Sequence, residues 1–461
     1  MSGETRLPVV GSAGRGRDTV PSGCLLSSGR NLPAHGRLAT WTALFVVVAT
    51  PVAIAYHYVA RAYFHQGYPW DTFLVNSRFH FNDYYLVYLD AKHFHPGGAT
   101  NIVYSPLLHL LMTALTAVPA AAGFAVMCAT FVAVLVAVLW SWVTAADMDT
   151  GARLQQVAIL SLLSYPVLFL LDRGNLEMVV FAVLAAFFWL YYARRSRWAW
   201  VPLALAIASK YYWVTLLLLP LSDRSVRQAV FALAGAIFAT VASGMTLAFT
   251  SGYSVAAVFH NTLSTLSARG TGYGAYLTIQ HAHTFWSALQ LLNRLTDYSL
   301  SPLPHLDAGY FAIAGLVFAL VAYNVLARDL APWRKVTVLI AATLVLPFES
   351  FDYTLIHLYF PLAMLVCATY PARGIRLALA LVAVCLVPMA YYYFTIWGVR
   401  YDSGVSVLVY PVALAGLIVV PLLTGEKERL TWRSLLTWTR LAASDERPAS
   451  GVSPALADGE R

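Results

Sequence analysis

Residues 122–145 read AGFAVMCATFVAVLVAVLWSWVTA, twenty-four residues without a charged side chain. A run of this length can cross the roughly 30 Å hydrocarbon core of a bilayer as a single helix. Its apolar residues are continuous and do not alternate with polar ones, which favours membrane helices over a membrane β-barrel. Because lipid offers no hydrogen-bond partners, the backbone groups of such a run must pair within the helix.

Similar apolar runs recur along the whole chain of 461 residues, of which 59% are hydrophobic and only 11% are charged. The candidate spans lie near 38–62, 104–120, 122–145, 155–171, 175–193, 198–220, 229–250, 307–327, 335–348, 354–369, 375–397 and 403–424. The predicted fold class is therefore an all-α membrane protein, a bundle of about 12 transmembrane helices over residues 38–424. Residues 1–37 are predicted to be a disordered cytoplasmic tail, and residues 425–461 a second cytoplasmic tail with an interfacial helix.

Clusters of arginine and lysine orient the chain, because cytoplasmic loops of membrane proteins carry an excess of them. Twelve crossings place both termini in the cytoplasm and two long polar loops, 63–103 and 251–305, on the outer side. The cluster Arg194, Arg195 and Arg197 conflicts with this count, which puts it outside. Two explanations stay open: these arginines bind an anion on the outer side, or a pair of segments between 104 and 220 is re-entrant.

The first outer loop carries acids among aromatic residues and histidines. Asp71 follows Tyr-Pro-Trp, and Asp83 lies in Phe-His-Phe-Asn-Asp-Tyr-Tyr. A carboxylate near the membrane and walled by rings is partly desolvated, which makes it a better base near neutral pH. The alternative is a solvated amphipathic loop.

Charged residues also stand inside or between the apolar spans, where they are costly and usually functional. Asp172-Arg-Gly-Asn-Leu-Glu177 joins two spans, and Asn175 is also a candidate cap for the second helix. Lys210 lies near the middle of 198–220, which this residue could divide into two half-helices. We expect Lys210 to face an anion, with an ion pair to Asp172, Glu177 or another buried acid as the alternative.

A late polar break, Pro347-Phe-Glu349-Ser-Phe-Asp352-Tyr, lies on the predicted outer side and precedes His357. The alternative is a polar hairpin between helices.

In loop 251–305, His281 and His283 are two residues apart and have no evident third ligand, so no metal site is predicted. The four cysteines show no metal or disulfide spacing, and nothing indicates nucleic-acid binding.

The order of these motifs resembles that of the C-type (GT-C) membrane glycosyltransferases. The motifs are the acid-bearing outer loop, Tyr104-Ser-Pro106, Arg173-Gly-Asn-Leu-Glu177, the arginine cluster, Lys210 and the late break. The resemblance covers roughly residues 40–370 and is greatest to glycosyltransferase family 87, whose members use polyprenyl-phosphate-mannose. It implies a GT-C-like bundle and an inverting sugar transfer on the outer face of the cell membrane, to a lipid or cell-envelope glycan.

The resemblance also implies roles for the residues named above. It makes Asp83 the catalytic base, with Asp71 as its rival. The residues expected to hold the donor phosphate are Lys210, Arg173, Arg194, His93 and His357. The residues expected to bind the sugar or acceptor are Tyr84, Tyr85, Tyr104, Asn175, Glu177, Glu349 and Asp352. No cofactor is expected, and a secondary transporter of a polar or anionic solute is the alternative function.

Overall fold

The computed structural model of the protein describes residues 33–68, 70–74, 80–92, 104–145, 150–260, 262–263, 281–296, 306–366, 373–389, 395–396, 399–400 and 405–424. Its α-helices are α1 (Pro33–Ala62), α2 (Asn82–Lys92), α3 (Pro106–Leu115), α4 (Ala120–Ala145), α5 (Thr150–Leu162), α6 (Tyr165–Arg173), α7 (Glu177–Phe188), α8 (Trp200–Ser209), α9 (Leu218–Ser222), α10 (Val226–Ser251), α11 (Phe285–Thr296), α12 (Leu306–Ala327), α13 (Pro332–Val345), α14 (Tyr359–Val366), α15 (Arg373–Cys385) and α16 (Ser406–Leu423). Arg197–Ala199, Tyr211–Leu217 and Asp352–Leu358 form 3₁₀ helices, and Trp189–Ala193 continues α7 as a π-helix. Two short strands, β1 (Thr395–Ile396) and β2 (Val399–Arg400), pair antiparallel with Thr395 opposite Arg400.

The architecture is that of a multi-pass helical membrane protein. Within the described residues, five helices are long and apolar enough to cross a membrane, and a sixth span results if α5 and α6 count as one. These two helices meet at 47°. The bend follows from Pro166 near the start of α6, because proline cannot donate the hydrogen bond that would continue α5. The number of about 12 spans stays a prediction, and the tail segments 1–32 and 425–461 lie outside the described residues.

Helix α13 forms the centre of the bundle. Every residue from Lys335 to Val345 is buried, as expected for a helix that is apolar on all sides. Other helices surround it and leave broad apolar faces outward, such as Phe238 and Phe249 on α10. Those faces are suited to lipid contact.

The predicted span 198–220 is broken at Lys210. Helix α8 ends at Ser209, Lys210 is extended (φ −141°, ψ 106°), and a 3₁₀ helix follows. The two half-helices that the sequence allowed for 198–220 are therefore present. Lys210 lies at their junction: its N–H donates the last bond of α8, to Ala206 O at 2.9 Å, and its carbonyl accepts the first 3₁₀ bond, from Trp213 N–H at 3.1 Å.

The two ends of α7 define two ends of the molecule. Glu177 starts α7, and Ala193, sixteen residues later, ends its π-helical extension about 24 Å away at roughly 1.5 Å per residue. We call the first the site end and the second the arginine end. At the arginine end, Tyr191 donates to Asp223 at 2.7 Å, and Lys335 Nζ lies 2.6 Å from Asp223. The cluster at 194–197 therefore shares an end with Asp223 and Lys335.

The segment 104–120 returns to the end at which it starts. Its helix α3 has ten residues, about 15 Å, half the thickness of the hydrocarbon core. Tyr104 accepts a hydrogen bond from Asn175 at 3.1 Å, and Val118 O accepts one from Tyr88 of α2 at 3.0 Å. Both ends of the segment thus contact residues of the site end. Because both ends of the segment lie at the site end, the re-entrant explanation is favoured for the arginine conflict over the expected crossing at 104–120, which stays a prediction.

These contacts predict which sides of the membrane single cysteines face. In a chain whose four native cysteines are replaced by alanine, Arg195→Cys and Arg224→Cys should react with an impermeant maleimide from the same side. Lys92→Cys, exposed on α2, should react only from the opposite side. The measurement compares right-side-out and inside-out vesicles. Labelling of Arg195→Cys from the side that labels Lys92→Cys would contradict the arrangement.

Candidate active site

Asp83 lies in the first turn of α2 and is held through both carboxylate oxygens. Arg173 Nη2 donates to Oδ1 as an ion pair, and Asn175 Nδ2 donates to Oδ2 at 2.6 Å. The Asp83 side chain is 13% exposed. The carboxylate is therefore ordered by charged and neutral donors, yet a small part of it stays open to an approaching hydroxyl.

The turn between α6 and α7 brings Arg173 and Asn175 together, and it depends on Gly174. Gly174 ends α6 in the left-handed conformation (φ 63°, ψ 35°), which glycine adopts at no steric cost. A Cβ at this position would lie 3.1 Å from Phe124 Cε2 and from Tyr84 Cβ, and 3.3 Å from Phe81 Cα. Glycine is thus required twice, for the backbone angle and for the close approach of α2.

Asn175 caps α7 and also hydrogen-bonds to two side chains of the site. Its Oδ1 accepts from the backbone N–H of Glu177 at 3.0 Å, which is the capping contact expected from the sequence. Its two amide hydrogens serve Asp83 and Tyr104 Oη, the latter at 3.1 Å. Asn175 therefore links the start of α7 to α2 and to the segment before α3.

Lys210 lies beside Tyr104 and pairs with Glu177. Its Nζ is 3.4 Å from Glu177 Oε2 and 5.1 Å from the centroid of the Tyr104 ring. The Lys210 side chain is 18% exposed, whereas that of Glu177 is 0% exposed. The structure thus contains the Glu177 ion pair that the sequence left as the alternative, and the lysine keeps an open face.

Glu177 is held by two further groups. His357 Nε2 donates to Oε1 at 2.7 Å, and Tyr212 Oη donates to the same oxygen at 3.1 Å. His357 is fully buried and its ring packs edge-on against Trp213, with centroids 4.5 Å apart. His357 and Glu177 were expected to touch phosphate and substrate. Their burial instead places both behind Lys210, where they support it.

Asp352 belongs to a second buried cluster and does not reach an open surface. Tyr165 Oη donates to it at 2.8 Å, and His283 Nδ1 lies 3.2 Å from it. Its backbone N–H donates to His281 O at 2.8 Å. Burial lowers the pKa of His281 to about 4, so this imidazole is neutral at pH 7. These contacts fix the segment before α11 against the 3₁₀ helix 352–358, and the substrate contact expected for Asp352 stays a prediction.

The tyrosines of α2 differ from each other in exposure. Tyr84 is fully buried, and its ring packs 5.1 Å from that of Phe124. Burial raises the pKa of Tyr84 to about 12. Tyr84 therefore packs α2 onto α4 and offers no open surface, whereas Tyr85 is exposed; the sugar contacts expected for these two residues stay predictions.

Four other predicted residues lie elsewhere or outside the described residues. Arg194 is at the arginine end, with Cζ 4.9 Å from the centroid of Trp189, and the structure does not bring it together with Lys210 and Arg173, so its role at the donor phosphate stays a prediction. Asp71 lies close to His57 of α1, and its Oδ1 is buried without a hydrogen-bond partner among the described residues. Glu349 is half-buried near Tyr353. His93 lies outside the described residues.

Several residues of the network were not predicted as site residues. Tyr212 contacts Glu177, and Tyr353 lies close to both Arg173 and Asp83. His80 pairs with Asp172, next to Arg173. The sequence Lys210-Tyr-Tyr-Trp carried a signal for Tyr212, since polar-tipped rings follow a charged residue inside an apolar run. Among the described residues, no group of three or more His, Cys, Asp or Glu side chains is arranged to hold a metal ion.

Comparison with known proteins gives one positive finding. The sequence model of Glycosyltransferase family 87 matches residues 102–347, just over half of the chain. No curated protein and no solved structure matches it. The matched region contains Tyr104, Arg173, Asn175, Glu177 and Lys210, whereas Asp83 precedes it.

Gly174→Ala should destabilise the protein by two separable effects. The left-handed backbone costs an alanine about 1–2 kcal/mol, and the contacts with Phe124 and Tyr84 should add about 1–3 kcal/mol. Gly252→Ala is the matched control, because Gly252 also has positive φ but a Cβ there meets nothing within 4 Å. Thermal unfolding in detergent should rank wild type above Gly252→Ala and Gly252→Ala above Gly174→Ala. Equal midpoints for the two variants would exclude the packing effect.

Proposed function

Because this chain belongs to glycosyltransferase family 87, we propose that it transfers mannose from a polyprenyl-phosphate donor to a lipid or cell-envelope glycan, with inversion. Membership of this family makes the protein a membrane glycosyltransferase. It argues against the secondary transporter, which was the alternative function that the sequence allowed. The single observation that carries the finer proposal is the continuous contact from Asp83 through Asn175 and Tyr104 to Lys210. It joins a carboxylate base to a partly open cation across one small site.

Asp83 is the proposed general base. It takes the proton of an acceptor hydroxyl as that oxygen attacks the anomeric carbon of the donor. The bond from that carbon to the phosphate oxygen breaks, and its electron pair leaves with the polyprenyl phosphate. Arg173 and Asn175 orient the carboxylate, so that its open edge faces the acceptor. Asp71 stays the rival, but its neighbour is His57 and not this network.

Lys210 is the proposed partner of the departing phosphate. It is a part-exposed cation beside the base, and fixed cations stabilise charge that develops on a leaving group. Glu177 keeps the ammonium in place from behind, while His357 and Tyr212 hold Glu177. Arg173 adds a second cation near the same position. In this proposal Glu177 and His357 are positioning residues, and Tyr85 and Tyr104 line the sugar site.

The proposed side of the site is the outer face of the cell membrane. The arginine end carries the basic clusters at 194–197, 224–227 and 334–335, which favour a cytoplasmic position. With 104–120 re-entrant, Arg197–Ala199 and α8 run from the arginine end to Lys210 beside Glu177, and the helices over 211–222 return to Asp223 beside Tyr191, so that two crossings replace the one expected over 198–220. The proposed GT-C-like bundle then keeps about 12 crossings, with 63–103 outside, and the conflict at 194–197 disappears.

Asp83→Asn should abolish transfer while leaving the fold intact. Loss of a general base lowers turnover by roughly 100- to 10,000-fold, and asparagine keeps the shape that Arg173 and Asn175 contact. Transfer from polyprenyl-phosphate-mannose by purified protein is the measurement. Asp90→Asn, on the same helix, is the control and should stay within about twofold of wild type. Near-wild-type transfer by Asp83→Asn, or its loss in Asp71→Asn alone, would move the base away from Asp83.

Lys210→Ala should raise the Michaelis constant for the donor more than that for the acceptor. The lost ammonium contacts phosphate in the proposal, and removal of a charge-assisted contact costs about 1.5–3 kcal/mol, which is roughly a 10- to 150-fold change. Lys92→Ala, on the exposed face of α2, should change neither constant. An unchanged donor constant in Lys210→Ala would refute the phosphate role and leave the role of Asp83 untouched.

A further inference from the structure

The arginine end carries a surface in which guanidinium groups lie over exposed aromatic rings. Arg197 Cζ is 5.6 Å from the centroid of Trp198, and Arg227 Cζ is 5.1 Å from that of Phe231. Arg197 and Arg227 are exposed, and Trp198 is 55% exposed. These groups have no part in the proposed transfer, because they lie the length of α7 away from Asp83.

The rings between the two arginines form one continuous ladder. The centroids of Trp198 and Trp200 are 6.4 Å apart, and those of Trp200 and Phe231 are 5.8 Å apart. Gly235 makes room for this packing, because a Cβ there would lie 3.1 Å from Trp200 Cζ3. The start of α8 and the start of α10 therefore present a single surface, which we call the arginine–tryptophan face: Arg197, Trp198, Trp200, Arg227 and Phe231.

The charge of this face is not balanced by the nearest carboxylate. Asp223 is the only acidic residue between positions 178 and 296. Its Oδ1 lies 2.6 Å from Lys335 Nζ, and its Oδ2 accepts from Tyr191 at 2.7 Å. Asp223 is thus committed to Lys335 and Tyr191, and the guanidinium groups of Arg197 and Arg227 lie instead against the rings of Trp198 and Phe231.

The face also lies where the bundle meets the edge of the bilayer. Arg227 is in the first turn of α10, which is long and apolar enough to span the membrane. Phe231 and Phe238 follow on its outward side. Tryptophan rings and arginines at the end of a span are positioned to meet lipid headgroups.

We propose that the arginine–tryptophan face binds the phosphate headgroup of an anionic glycerophospholipid. A guanidinium that stacks through its plane keeps its N–H edge for two parallel hydrogen bonds to phosphate. The rings and the apolar start of α10 cover the glycerol and upper acyl chain, which a free phosphate ion lacks. The site is separate from the sugar-transfer site and does not depend on the proposed reaction.

Lipid titration of the full-length purified chain in neutral detergent tests this site. Phosphatidylglycerol, phosphatidylcholine and inorganic phosphate are each added, and the thermal midpoint and the lipids retained in native mass spectrometry are followed. Phosphatidylglycerol should stabilise wild type and remain bound, and the other two should not. Arg197→Gln and Arg227→Gln should each raise the phosphatidylglycerol concentration for half-maximal stabilisation by roughly fivefold.

Arg376→Gln is the matched control, since it removes one exposed arginine near the start of α15, outside the face. It should leave the half-maximal concentration within about twofold of wild type. An equal effect of Arg376→Gln would overturn the site in favour of diffuse surface charge. Equal stabilisation by phosphatidylcholine or by inorganic phosphate would overturn it as well. If a glutamine variant does not fold, Arg197→Lys keeps the charge but loses the planar fork, and it should weaken binding more than Arg376→Lys does.

Discussion

A fully buried carboxylate, Glu177, constrains most of the polar interior. An unpaired charge in a helical bundle of this kind would cost several kcal/mol, so the chain must bring partners to it. Lys210 arrives from the break after α8, and His357 arrives from the 3₁₀ helix 352–358. Regular α-helix is therefore interrupted at the two segments that supply Lys210 and His357. Irregular backbone within the bundle is tolerated there because it lines a polar network and does not face lipid.

The same turn that begins α7 connects Glu177 with Asp83. Gly174 allows α6 to end in the left-handed conformation, and Arg173 and Asn175 then face α2. Asn175 caps α7 with one end of its amide and reaches Asp83 and Tyr104 with the other. Base and cation are thus placed by one short stretch of chain and the two segments that pack on it. These side chains therefore have both a proposed role in catalysis and a role in the stability of the fold.

Because the two ends of α7 are far apart, the charged residues form two separate groups with different roles. At the site end, acids and cations neutralise one another within the bundle. At the arginine end, Asp223 is used by Lys335 and Tyr191, and Arg197 and Arg227 lie over exposed rings. A multi-pass protein needs both arrangements, since interior charge must be paired whereas charge at the bilayer edge can meet headgroups.

The sequence by itself determined the class of protein and the polar segments that matter. Apolar runs of sufficient length can only be helices in lipid, and Arg173, Asn175, Glu177 and Lys210 stood out because charge and amide groups are rare within or between such runs. Asp83 stood out as an acid among aromatic residues in the first outer loop and through the resemblance to the family. Tertiary structure alone decided which of these meet. Periodicity does not show that both ends of 104–120 lie at the site end, that Arg194 lies a helix length from Lys210, or that His357, Tyr84 and Asp352 are buried. Those outcomes depend on contacts between distant segments, such as Glu177 with His357, 180 residues apart, and Tyr165 with Asp352, 187 residues apart. Local sequence carries no record of such contacts.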